Sequence, residues 1–376
     1  MNSAPRESYL RLFGRFLRFG LLAWGGPVAQ IAMLRQELVD EEHWVTNERF
    51  NRVLAVYQVL PGPEAHEMCV YFGMLARGRL GGILAGLGFM LPGLLGMLAL
   101  SWFYVTYGLA SPFFAGTFYG FKPAVAALIV RAVHRLGQHA LTNRWLWGLT
   151  AAAFVAQGVG VNFLLTLVLA GLAYAAIKRQ TPAPAALLMW PLSITLQATA
   201  APSALILFLY GLRTGLLTFG GAYTAIPFLQ QDAVVVGGWM TNAQFLDGLA
   251  LGGILPAPLI IFGTFVGYLG AGLPGALAIT LGIFLPAFAF TLIGHEPIER
   301  LIENTTTHAF LDGVTAAVIG LIAFTALGLL REAIPDIPTL IIFALALFTL
   351  YRWKAKAAVA AVMLGAGVLG LLLIGL

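Results

Sequence analysis

The chain holds one cysteine, Cys69, and little charge: Asp, Glu, Lys and Arg make up 10% of its 376 residues, against roughly 25% in an average soluble domain. A single cysteine excludes a disulfide framework and any multi-cysteine metal site. The shortage of charge is also uneven. No charged residue occurs from Leu80 to Phe121, from Gln180 to Leu212 or from Gly248 to Gly294. Each run exceeds the roughly 20 residues that a membrane helix needs. With 60% of residues hydrophobic, the fold class expected is an all-α, polytopic membrane protein.

Catalytic signatures are missing as well. A zinc protease helix needs two histidines four apart with a glutamate between them. Here His295-Glu296 is followed by Glu299, and His134 and His139 stand five apart. No enzyme, metal or cofactor is expected. Arg6, Arg11, Arg15 and Arg18 run directly into the first hydrophobic segment without a small-residue cleavage site, so no cleavable leader is expected. The net charge of +5 fits basic loops held on the cytoplasmic side rather than nucleic-acid binding.

What the chain does contain, it contains twice. The stretch Trp24 to Pro63 opens with Trp24-Gly25-Gly26-Pro27 and closes with Leu60-Pro61-Gly62-Pro63. A copy runs from Phe219-Gly220-Gly221 to Leu255-Pro256-Ala257-Pro258 at an offset of 195, and 15 of the 40 paired positions are identical. They include Thr46-Asn47 against Thr241-Asn242 and Trp44 against Trp239. Beyond the core the match continues at slightly smaller offsets, with Leu91-Pro92 against Leu285-Pro286 and Gly120 against Gly313. This is an internal repeat. It divides the chain into residues 1–177, a joint at 178–204 that is long and apolar enough to cross the membrane, and residues 205–376.

Each half reads as five to six segments, at about 12–35, 50–76, 80–107, 111–136, 145–157 and 160–177, then about 203–230, 243–269, 273–294, 308–330, 337–351 and 355–375. Charge suggests opposite orientations. Arg77 and Arg79 follow the second segment of half one, whereas the loop Leu269–Gly275 in half two is uncharged. Conversely, Gln157–Val161 is uncharged, whereas its counterpart reads Arg352-Trp353-Lys354-Ala355-Lys356. If Lys and Arg stay cytoplasmic, equivalent loops lie on opposite sides, the mark of inverted-topology repeats. Two parallel halves with atypical loop charge are the alternative.

Proline lacks the helical N–H and clashes with the preceding turn, so Gly25-Gly26-Pro27 and Pro61-Gly62-Pro63 break their helices, as do Gly220-Gly221 and Pro256-Ala257-Pro258, and broken or re-entrant helices are expected in both halves. Broken backbone at membrane depth is tolerated where protein or a water-filled cavity satisfies it, and half-helix N-termini then aim positive dipole ends at an anion. The breaks, with Gln30 and Gln58, are the expected substrate-binding residues. Lys122, between Gly120 and Pro123, is expected either to face the anion or to pair with Glu64 or Glu67. Glu64, His66 and Glu67 are candidates for coupling or gating. Arg18, Arg213 and Arg35 are candidates for anion attraction through the arginine fork. Trp44 and Trp239 are expected at the bilayer surface.

The run Gly25-Gly26-Pro27-Val28-Ala29-Gln30, with Arg35, Glu37, His43-Trp44, Gln58 to Pro63 and Gly88-Phe89-Met90-Leu91-Pro92, resembles the first half of chromate transporters. Phe219-Gly220-Gly221, Pro227, Gly238-Trp239, Phe245, Leu255-Pro256 and Phe284-Leu285-Pro286 resemble the family's second repeat. The resemblance covers nearly the whole chain and implies efflux of chromate, a tetrahedral dianion, from the cytoplasm across the inner membrane, driven by the proton gradient or the membrane potential. Two positions depart from the family pattern: Ala257 replaces the middle glycine of the second Pro-Gly-Pro, and Glu64, His66 and Glu67 follow the first. Chromate, with sulfate as a near-isostere, protons and lipid are the implied partners, and a homodimer is left open. Transport or exchange of sulfate or another oxyanion, or an anion channel on the same scaffold, are the alternatives.

Overall fold

The computed structural model describes residues 7–108, 112–178, 202–219, 221–293, 305–353, 355 and 357–374. Gly220, Arg6, His295, Glu296, Glu299, Lys354, Lys356 and nearly all of the joint lie outside the described residues. Among the described residues every regular element is helical. Half one consists of α1 (Tyr9–Leu21), α2 (Gly26–Arg35), α3 (Asn47–Val59), α4 (Glu64–Tyr107), α5 (Pro112–Ala140), α6 (Arg144–Gly158) and α7 (Phe163–Ile177). Half two repeats the series as α8 (Ala204–Leu217), α9 (Ala225–Gln230), α10 (Asn242–Gly253), α11 (Phe262–Ile293), α12 (Thr305–Ala333), α13 (Ile337–Arg352) and α14 (Ala358–Ile374). Even the irregularities repeat. A π-helical turn, Gln36–Glu41, extends α2, and another, Gln231–Val236, extends α9.

The repeated residues explain the repeated shape. Thr46 and Thr241 are N-caps, each accepting a backbone N–H three residues on, from Arg49 and Gln244, which satisfies an otherwise orphaned helix donor. The next residue in each copy is a tie: Arg35 Nη2 donates to Asn47 Oδ1 at 2.9 Å, and Gln230 Nε2 donates to Asn242 Oδ1 at 3.0 Å. Arg35 and Gln230 differ in charge but hold the same joint.

The broken segments turn back instead of running on. Arg18 pairs with Glu37, and Arg15 reaches Glu37 at 3.0 Å and Glu42 at 2.6 Å, so α1 and the α2 arm lie side by side. Arg49 Nε donates to Tyr71 Oη at 2.8 Å, and Trp44 and Phe50 pack on Phe72, so α3 and residues 64–76 form a second hairpin. Arg77 Nε donates to the Glu7 carbonyl at 2.6 Å, so both hairpins open at one end of the molecule. In half two Arg213 pairs with Asp232, at the same offset as Arg18 and Glu37, and Trp239 Nε1 donates to the Val266 carbonyl at 3.2 Å. This second pair of hairpins abuts the α6–α7 turn: Gln157 Nε2 donates to Gln231 Oε1 at 3.4 Å, and the Arg213 guanidinium lies 5.2 Å above the Phe163 ring.

α4 and α11 each double back once more. Gly78 has φ +63° and Gly272 φ +60°, a conformation that costs a residue bearing Cβ about 1 kcal/mol or more. Past these turns, Gly73 and Gly81, like Gly267 and Gly275, meet so closely that a Cβ on either would strike the other's carbonyl oxygen. The long arms that follow, residues 79–107 and 273–293, and the 29-residue α5 and α12 are long enough to cross a membrane by length and composition.

Candidate functional site

The two halves interlock at their breaks. The Gly62 N–H, inside the Pro-Gly-Pro of half one, donates to the carbonyl of Thr218 in half two at 2.8 Å. Gly93 packs directly on Ala257 within the second proline break. Pro61, Gly62 and Pro63 are buried, as are Gly221 and Pro258, while Pro256 is half-buried. Gly25 and Gly26 have φ +91° and +78°, and Pro27 sits in the first turn of α2, where its missing N–H costs nothing. The breaks at Pro61 to Pro63, Gly221 and Pro258 therefore lie in the interior, whereas Gly25, Gly26 and Pro27 are half-buried.

A cavity of about 620 Å³ opens against the first break. Gly25, Val28 and Ala29 form one wall, so the first turn of α2, with its unpaired N–H groups, faces it. Arg131, His134 and Arg135 of α5 form another, and Tyr351 closes the side through a 2.7 Å hydrogen bond to His134 Nδ1. Among the described residues neither Arg131 nor Arg135 enters an ion pair. Both lie within electrostatic reach of Tyr223, two residues beyond Gly221, and Arg135 within reach of Glu64. Two free guanidiniums and a helix N-terminus around one cavity suit a tetrahedral oxyanion.

A second cavity, of about 520 Å³, lies in half two between the Arg213–Asp232 pair, Phe324, Thr325, Gly328 and the α6–α7 turn, lined by Gln230 and Gln231 rather than by the break at Gly221. At an offset of 193, Phe324 and Gly328 stand where the first cavity has Arg131 and Arg135. The basic wall belongs to one cavity only. Sequence reading missed Arg131 and Arg135 because they sit at the end of an apolar segment, where arginines ordinarily anchor to the interface. Their replacement by Phe324 and Gly328 in the copy was the available signal.

Several expected residues have other places. Arg18 and Arg213 are not free for an anion; each ties the two arms of its own hairpin. Arg35 is bound to Asn47. Lys122 faces neither Glu64 nor Glu67: its Nζ lies 3.8 Å from Asp247 Oδ1, while Tyr104 donates to Asp247 Oδ2 at 2.9 Å. Both Lys122 and Tyr104 are in half one and Asp247 is in half two, so this triad bridges the halves. Gln30 is buried and donates to the Ala23 carbonyl at 2.8 Å, closing its own break, whereas Gln58 is exposed. Trp44 is buried within the hairpin instead of lying at a lipid surface, because its indole donates to Glu42 and its ring packs on Phe72. Glu64, His66 and Glu67 are all buried beside the Pro-Gly-Pro, with His66 edge-on to Phe284 and Phe288 of half two at 5.0 and 4.7 Å.

Two copies of one helical series, broken at matched positions, joined at the breaks and made largely of long apolar helices, define a multi-pass membrane transporter. The family model described as chromate transporter matches twice, over residues 10–176 and 205–371, and the chain belongs to this family, whose members are transporters rather than enzymes. It is 54% identical to a chromate transport protein of Pseudomonas aeruginosa, covering 97% of this chain and 92% of that one. Identity is 32% to a chromate transport protein of Cupriavidus metallidurans, over 99% and 94% of the two chains. It is 30% to a probable chromate transport protein of Synechococcus elongatus, over 93% and 91%. No solved structure matches the chain.

Proposed function

We propose that this protein exports chromate from the cytoplasm through the inner membrane, with the two halves in inverted orientation. The observation that carries the direction is the cavity walled by Arg131 and Arg135. Arg131, His134 and Arg135 lie toward the α5 end that precedes Arg144, and the hairpins tied by Arg15, Arg18 and Arg77 open at the end marked by basic residues. Basic residues held on the cytoplasmic side favour a cavity that faces the cytoplasm, where it concentrates a dianion. Moving a dianion out of a cell whose interior is negative by about 100 mV releases about 4.6 kcal/mol, so the membrane potential alone favours export. At the break the anion meets the N-terminus of α2 and passes between the interlocked prolines as the Gly62–Thr218 hydrogen bond opens.

The test is uptake of labelled chromate into inside-out vesicles, with sulfate as competitor and with the membrane potential imposed or collapsed. Saturable uptake above that of vesicles lacking the protein is expected. Arg131→Gln and Arg135→Gln should each raise KM with less effect on maximal rate. Uptake no greater than in empty vesicles refutes the substrate, and unchanged KM in both variants refutes the cavity.

A further inference from the structure

Glu67 is completely buried, and among the described residues neither of its carboxylate oxygens has a hydrogen-bond partner. Its Oε1 lies only 2.8 Å from where a Cβ on Gly62 would stand, so the carboxyl group is wedged beneath the Pro61-Gly62-Pro63 break. Glu64, one turn earlier on the same helix, is also buried. The titratable and charged groups within reach are Glu64 and His66 on its own helix, Tyr57 on α3 and, through Glu64, Arg135 on α5. α11 sets Ala287 beside Gly62 and Phe284 and Phe288 against His66, and none of these α11 residues carries a full charge. None of the neighbours compensates an ionised Glu67. A buried carboxylate with neither counter-ion nor donor is among the costliest arrangements a protein can hold, whereas the neutral acid fits an apolar pocket.

We propose that Glu67 is a proton-binding site linked to the anion, so that protonation of Glu67 and occupation of the break by the anion favour one another. The link is electrostatic and needs no long pathway. An ionised Glu67 would set a full negative charge directly under the backbone that the anion must pass, while a neutral one leaves the helix N-terminus and the α5 arginines unopposed. When the break opens and water reaches the carboxyl group, its O–H ionises and the proton passes to that water. Closing the break around an anion takes a proton back. Linkage is reciprocal: bound anion raises the affinity for the proton as much as bound proton raises the affinity for the anion.

This rests on the anion-carrier reading, and the experiment separates the two. The full chain in detergent is titrated with chromate in weakly buffered solution, at a pH where chromate is a dianion, and both affinity and proton uptake are recorded against pH. The wild-type protein should take up protons as it binds, with affinity falling as pH rises. Glu67→Gln should bind without proton uptake and with a flat affinity profile. Glu67→Asp, which keeps a carboxyl group and serves if the glutamine variant does not fold, should retain uptake with a displaced midpoint. Proton uptake undiminished in Glu67→Gln, an unmoved midpoint in Glu67→Asp, or no uptake by the wild type overturns the proposal. If the wild type binds no chromate, the substrate reading fails instead, and the same titration with sulfate decides the proton site. Binding of neither anion overturns both.

Discussion

Removing Lys122 should do more damage than removing Lys122 and Asp247 together. Asp247 is fully buried on α10, and its only described ionic partner is Lys122 Nζ at 3.8 Å, with the Tyr104 hydroxyl at 2.9 Å. Coulomb's law at that separation, with an effective dielectric of about 20, gives about 4 kcal/mol for the pair. Lys122 retains 22% of its side-chain exposure, so solvent screening reduces this to about 2–3 kcal/mol. Lys122→Met leaves a buried carboxylate with one donor and should cost that amount. Lys122→Met with Asp247→Leu removes the stranded charge along with its partner and should recover most of it, because replacing both members of a buried pair is often close to neutral. The assay is a double-mutant cycle on the thermal stability of the detergent-solubilised chain, followed by the fraction remaining monodisperse after heating. A double variant no more stable than Lys122→Met would refute the reasoning. It would mean that Lys122 stabilises the fold through its stem or another contact, and would return it to the pool of residues free to meet the anion.

Arg213→Asp should release the second hairpin arm by placing two carboxylates face to face, and Arg213→Asp with Asp232→Arg should restore it. Spontaneous cysteine cross-linking between the arms, introduced at exposed positions, reports the recovery, and a charge swap that restores nothing would show that the pair is not a tie. Gly78→Ala forces Cβ into a left-handed turn and should lower thermal stability by about 1 kcal/mol or more. Gly272→Ala should match it, and a difference of several-fold between the two would argue that the turns are not equivalent.

The tie formed by Arg213 also shows where sequence reading stopped. The repeat and its breaks are legible because identical residues at a fixed offset need identical local geometry: a threonine N-cap, a glycine of positive φ, a proline that ends a helix. Whether a broken helix runs on or turns back is not local. Gly25-Gly26-Pro27 reads the same in either case, and the reversal is visible only through contacts such as Arg18 with Glu37 and Arg49 with Tyr71. Polar partners were misassigned for the same reason. Sequence alone offers Lys122 the anion, Glu64 or Glu67, but the fold brings it an aspartate 125 positions away. Trp44 looks like a belt residue in one dimension and is an interior one in three, since the hairpin that swallows it is made by the second break.

The duplicated architecture supplies its own criterion for separating scaffold from site. Where both halves keep the same physical device, the device is structural. The Arg18–Glu37 and Arg213–Asp232 pairs, the Arg35–Asn47 and Gln230–Asn242 ties, the turns at Gly78 and Gly272 and the π turns all recur, and each can be accounted for by packing and capping alone. Some charge differences are structural too, as in Arg35 against Gln230 and the Lys122–Asp247 pair, but others serve no such tie. Arg131 and Arg135 face Phe324 and Gly328 across the repeat, and Glu64, His66 and Glu67 occupy the place taken by Leu259 to Phe262. Among the described residues Arg131 and Arg135 enter no ion pair on their cavity wall, and the Glu67 carboxyl group under the break has no hydrogen-bond partner. A symmetric scaffold binds from either side alike. The proposed export needs its charge on one half, and Arg131, Arg135 and Glu67 all lie in half one.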